Sequence, residues 1–246
     1  MRTGLKSIIS SFIFVVSSIT IPQYAFAYRP FISTDASVAD KNVREIELGF
    51  LNISHDEGKN EITVPSFRFN YGIFKNWEFV SEFDAQVYKE GENRDGEIKD
   101  PAVFLKGVLS EGILQNQQGA SFAVELGVLL PSTVKRESHV GAEGIVVFSS
   151  KISNLVYHLN LGGELDREDF APNGIWGIIL EYPFGGRFRP VVEVAGVVKS
   201  RGPSDNSGLV GFIWELKKVD LDFGVRKGFS SAAPDWELTM GIDFIF

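Results

Sequence analysis

A two-residue alternation of apolar and polar side chains recurs along this chain and limits what it can become. In its final stretch, DWELTMGIDFIF, Trp236, Leu238, Met240, Ile242, Phe244 and Phe246 share one parity. Glu237, Thr239, Gly241 and Asp243 share the other. Successive side chains of a strand point to opposite faces, so the pattern predicts a strand with one apolar and one polar side. The same division holds upstream. Trp77, Phe79 and Phe83 oppose Glu78, Glu82 and Asp84, and Phe122, Val124 and Leu126 oppose Glu125. Leu159 and Leu161 oppose His158, Asn160 and Glu164, while Phe188, Val192 and Val194 oppose Arg187, Arg189 and Glu193. Leu221, Phe223 and Val225 oppose Asp222 and Arg226.

Alternation bounded by turn residues predicts about twelve strands, near 44–53, 62–73, 77–88, 102–109, 120–130, 142–152, 155–165, 174–184, 187–198, 209–216, 219–228 and 235–246. No helical period persists between them. Short connections (FKN, SN, GG, KK) alternate with long polar ones such as KEGENRDGEIKDP and KSRGPSDNSG. Short turns at one end and long loops at the other mark an up-and-down barrel of the outer-membrane type. One connection, SEGILQNQQG at 110–119, falls where a short turn belongs and reads as an insertion.

Alternation alone does not say which face is inside. Size does. About eight strands make the widest barrel whose interior side chains can fill, so a closed barrel of about twelve would hold a void or water. Turning the apolar face to lipid removes the difficulty, and a Lys or Arg there would cost about 2–4 kcal/mol at the membrane midplane. The expected fold is therefore all-β: a closed antiparallel transmembrane β-barrel of about twelve strands. Tyr71, Trp77, Trp176, Tyr182, Trp214 and Trp236 are expected near strand ends as interfacial girdles.

The first 27 residues, with Arg2 and Lys6, an apolar run from Ile8 to Ile21 and the ending Ala25-Phe26-Ala27, have the layout of a cleaved signal peptide. Residues 28–246 are then the barrel. The chain has no cysteine, which excludes disulfides and thiolate metal sites, and its net charge of −8 argues against a nucleic-acid partner.

The lumen is where function is expected. Its predicted lining includes Arg68, Glu78, Glu82, Asp84, Lys106, Glu125, His158, Glu164, Arg187, Arg189, Glu193, Asp222, Arg226, Glu237 and Asp243, joined by Glu45, Glu47, Glu181 and Glu215. Such a lining is either a set of mutually paired ions that stiffens and plugs the wall, or a narrow polar pore favouring cations and neutral solutes. Three histidines leave little room for catalysis: His55 and His139 fall in long loops and His158 faces inward. Neither a catalytic set, a metal centre nor a cofactor is expected.

The opening RPFISTDASVADKNVREIELGF, with Arg29-Pro30, Thr34-Asp35 and Glu45-Ile46-Glu47, resembles the start of an outer-membrane family catalogued as meta-pathway phenol-degradation proteins, also called transporters. The hairpin YGIFKNWEFV at 71–80 resembles that family's first periplasmic turn. The resemblance implies a barrel in the bacterial outer membrane that passes hydrophobic or aromatic compounds. The terminal Phe246 is similar to the C-terminal aromatic that such barrels present to their assembly machinery. The reading is thus a narrow channel or transporter for small molecules, embedded in outer-membrane lipid with both termini periplasmic. The alternatives are a lipid-modifying hydrolase and a structural barrel.

Overall fold

The computed structural model describes residues 29–246 apart from 57, 91–92, 135–136 and 185. The predicted signal peptide, 1–27, lies outside the described residues. Twelve strands follow one another in chain order: β1 (Arg44–Asp56), β2 (Lys59–Phe74), β3 (Trp77–Glu90), β4 (Asn93–Ser110), β5 (Ser121–Leu129), β6 (Gly141–Ile152), β7 (Leu155–Leu165), β8 (Pro172–Glu181), β9 (Phe188–Val198), β10 (Asp205–Glu215), β11 (Val219–Gly228) and β12 (Trp236–Ile245). Every neighbour is antiparallel, and β12 closes the barrel against β1 with Glu47 opposite Asp243 and Gly49 opposite Gly241. Closure leaves no free edge, which hydrocarbon demands because unpaired backbone groups there cost several kcal/mol each.

Burial is inverted relative to a water-soluble protein. The largest fully buried side chains include Lys106, His158, Gln86, Glu47, Glu78 and Glu193, whereas Leu161 is 71% exposed and Val210 64%. The apolar parity of each strand therefore faces outward, as its pattern requires. Trp77 begins β3 and Trp214 nearly ends β10 at the short-turn end, while Trp236 begins β12 at the other. Trp176 departs from the expected girdle. It sits halfway along β8, where its indole nitrogen donates to Asn206 Oδ1 at 3.1 Å.

Two connections differ from expectation. KEGENRDGEIKDP is mostly strand, because β3 runs to Glu90 and β4 starts at Asn93. A hairpin that continues past the apolar band keeps its backbone pairing but needs no apolar parity, so it leaves no periodic signal. SEGILQNQQG is not an idle insertion. It carries a 3-10 turn at Ile113–Gln115, and Leu114 packs against the lumenal cluster of Ala36, Ala123, Ile145 and Val147.

Candidate functional site

The lumen is occupied by the chain itself. Ser33, Thr34, Asp35, Ala36, Ser37 and Ala39 are all buried, although they precede the first strand. From Arg29 the segment circles the inside of the wall past β12, β11, β9, β7, β6 and β3. At β2 the Asn42 amide donates to Gly72 O at 2.7 Å, and the chain then enters β1.

Wall side chains meet its backbone at nearly every step. Glu193 Oε1 accepts from the Ser33 amide at 2.8 Å, and both Glu193 oxygens take the Ile32 amide at 3.2 Å. Asn160 grips Thr34 twice, accepting from its amide at 3.0 Å and donating to its carbonyl at 2.7 Å. Ser149 Oγ accepts from the Ala36 amide at 3.0 Å and Glu78 Oε2 from the Ala39 amide at 2.7 Å. Gln115, on the 3-10 turn, donates to Ala36 O at 2.8 Å. A buried amide left without a partner would cost about 1–3 kcal/mol, so these side chains are what allow an irregular segment to lie inside the barrel.

The wall is also shaped to receive it. A Cβ on Gly49 would stand 2.6 Å from the Arg29 guanidinium, and one on the opposing Gly241 would also run into Arg29. The two glycines form a notch in which Arg29 reaches Asp222 at 3.4 Å and Thr239 Oγ1 at 2.5 Å. Phe31 packs on an inward apolar patch of Val191, Leu209 and Ile213.

Most of the predicted lining faces the lumen, gathered into four groups. Arg68 pairs with Glu82 at 2.6 Å and Glu125 at 3.3 Å, and Asn70 donates to Glu47 at 2.7 Å. Lys106 donates to Thr34 Oγ1 at 3.0 Å and lies 3.5 Å from Asp35 and 3.9 Å from Glu78. Arg226 pairs with Glu193 at 2.8 Å and approaches Glu237 at 3.9 Å. His158 Nδ1 meets Ser149 Oγ at 2.8 Å, its Nε2 lies 3.5 Å from Glu181, and Glu181 pairs with Arg189 at 3.0 Å. The last group places Ser, His and Glu in a line, but Ser149 is fully buried beneath Ala36. Its hydroxyl accepts from the Ala36 amide of the inner segment.

Glu164 stands near the long-loop end, where Asn173 donates to it at 2.9 Å. Asp84 faces a vestibule, and Asp222 and Asp243 face the lower lumen. Arg187 is the exception. It is exposed in the turn before β9, at the short-turn rim beside Glu215, Lys217 and Asp220. Parity placed it inside, but the strand begins one residue later.

Two cavities that share Asp84 form the vestibule on the long-loop side. The outer holds about 300 Å³ and is bordered by Asp56, Lys59 and Glu61. The inner holds about 250 Å³ and ends on Arg29, Phe31 and Ile32. A further cavity of about 230 Å³, lined by Ser37–Asp40 and the 3-10 turn, lies at the short-turn mouth.

Sequence reasoning missed the inner segment. Its signals were present: a small-residue run, STDASVA, without alternation, and inward glycines and apolar residues such as Gly49, Leu209 and Ile213 that a water-filled lumen does not require.

No family model matches the chain, and no curated protein sequence does. Among solved structures it is similar to the COG4313 outer membrane channel from Pseudomonas putida F1, with a TM-score of 0.63 and 9% identity over 85% of this chain and 97% of that one. The shared property is the fold. Salmonella typhi OmpF also matches, with 10% identity over 83% of this chain and 97% of that one, but its TM-score of 0.42 is too low to carry an argument.

Proposed function

We propose that the protein is a channel of the bacterial outer membrane for small molecules, closed in this conformation by its own residues 29–39. The observation that carries this reading is the backbone of Ile32–Ala39 held across the lumen by Glu193, Asn160, Ser149 and Glu78. A wall that only anchors lipid has no need for inward groups fitted to a strand-free segment. In this reading 1–27 is a signal peptide that is removed and 28–246 is the mature barrel. The short-turn end faces the periplasm, and the β12 terminus at Phe246 is read by the assembly machinery. The apolar floor of the inner vestibule, made by Phe31 and Ile32, suits a solute with an aromatic or aliphatic face. That agrees with the resemblance to the phenol-degradation family. The protein works without chemistry of its own.

The test is planar-bilayer conductance of the refolded mature chain beside a version lacking residues 29–39. The full chain is expected to open rarely and the shortened one to conduct steadily. A shortened barrel that is folded yet silent would reject the channel.

A further inference from the structure

We propose that a row of inward carboxylates at the closing seam, Glu47 on β1, Asp243 on β12 and Asp220 on β11, is a binding site for a cation of the alkylammonium class. The registers place Glu47 directly opposite Asp243 and Asp243 directly opposite Asp220. Like charges directly across a sheet repel, and a cation lying over the row would relieve that repulsion at the strands that close the barrel.

The buried atoms point the same way. Asp243 is 1% exposed, and neither of its carboxylate oxygens has a hydrogen-bond partner. Glu47 Oε2, Glu45 Oε1 and Asp222 Oδ1 are likewise buried without one. The nearest cations are held elsewhere: Arg29 pairs with Asp222 at 3.4 Å and donates to Thr239 Oγ1 at 2.5 Å, and Arg68 stands 4.0 Å from Glu47 while pairing more closely with Glu82 and Glu125. The row also runs between two spaces. Glu47 borders the inner vestibule, and Asp220 borders a cavity of about 280 Å³ at the short-turn rim.

Geometry selects the class of cation. Among the described residues no three acidic or histidine groups converge closely enough to hold a metal ion, whereas calcium takes six to eight oxygens at about 2.3–2.6 Å. Strand spacing of about 4.8 Å instead sets the acids out in a line roughly 10 Å long. A linear amine can place an ammonium against successive members of such a line, each donating a charge-assisted hydrogen bond. Binding is distinct from conduction, so the site stands or falls whether or not the barrel passes solute.

The experiment is calorimetric titration of the refolded mature barrel, in non-ionic detergent at neutral pH, with spermidine, putrescine and calcium chloride in separate runs. Saturable amine binding is expected, weakened at least tenfold by Asp243→Asn and by Asp220→Asn, and unchanged by Asp166→Asn in an exposed loop. Two separate variants keep the test informative if one fails to fold. Absence of saturable amine binding to the wild-type barrel, equal binding by both folded seam variants, or a preference for calcium over the amines would overturn the proposal.

Discussion

Glu193→Gln is the smallest change expected to free the inner segment. The carboxylate accepts the Ser33 amide at 2.8 Å and the Ile32 amide at 3.2 Å, and it receives Arg226 Nη2 at 2.8 Å. A carboxamide of the same shape keeps one acceptor oxygen and turns the other position into a donor. That donor then faces either a backbone amide or a guanidinium. The closed state loses the equivalent of one charge-assisted bond, about 1.5–3 kcal/mol. The loss of the Arg226 pairing is common to closed and open states and largely cancels. At about 1.4 kcal/mol per decade, the open fraction should rise roughly 10- to 150-fold. The chain has no cysteine, so a Ser33→Cys background supplies a single thiol, buried when the segment is seated. Its rate of modification by a polar maleimide reads the open fraction, provided reseating is fast compared with labelling. Unchanged labelling in a barrel that keeps its β spectrum would refute the assignment of Glu193 as an anchor.

Two further outcomes follow from the same geometry. Gly241→Val places its added carbons against the Arg29 and Asp222 side chains, with no wall backbone among the nearest atoms. It should expel Arg29 and raise channel opening about tenfold without unfolding the barrel, as read by single-channel recording. In the β7–β8 loop, the Ala171 amide and then the Arg201 guanidinium hold the Asp169 carboxyl below its ordinary range. A depressed folded-state value means this stabilisation is present above the unfolded carboxylate range and is lost as pH falls through the lower folded value. The Ala171 amide should therefore lose protection relative to its intrinsic exchange rate as pH falls, an effect that Asp169→Asn removes.

The wall was legible because lipid enforces a rule that sequence can carry. A charge at an outward position such as Leu161 or Val210 would meet hydrocarbon, so parity is kept strand after strand and the inward residues fall out by subtraction. Arg68, Lys106, His158 and Glu193 were found that way. The rule lapses wherever lipid stops. It says nothing about paired strands beyond the apolar band, so the β3–β4 hairpin read as a loop. Nor does it fix a turn boundary, and Arg187 at the rim was assigned inward. The inner segment obeys no periodicity at all, because it contacts the wall through backbone amides rather than through a repeating side-chain face. Its trace in the sequence is indirect: glycine at positions 49 and 241, where any side chain would fill the space that Arg29 takes.

The different ways in which wall and segment are held imply that one can move without the other. Every strand of the wall is hydrogen-bonded on both sides to its neighbours, including the seam of β1 and β12, and none of those ladders passes through residues 29–39. The segment is held mainly by side chains: Glu193, Asn160, Ser149, Glu78 and Gln115 to its backbone, and Arg29 to the wall. Release transfers a few amides to water and leaves Lys106 and Arg226 facing a wetter lumen still lined with acids. Unfolding a strand would instead expose backbone to hydrocarbon. The two costs differ in kind, so the segment can leave its seat while the wall stays closed on itself as a barrel.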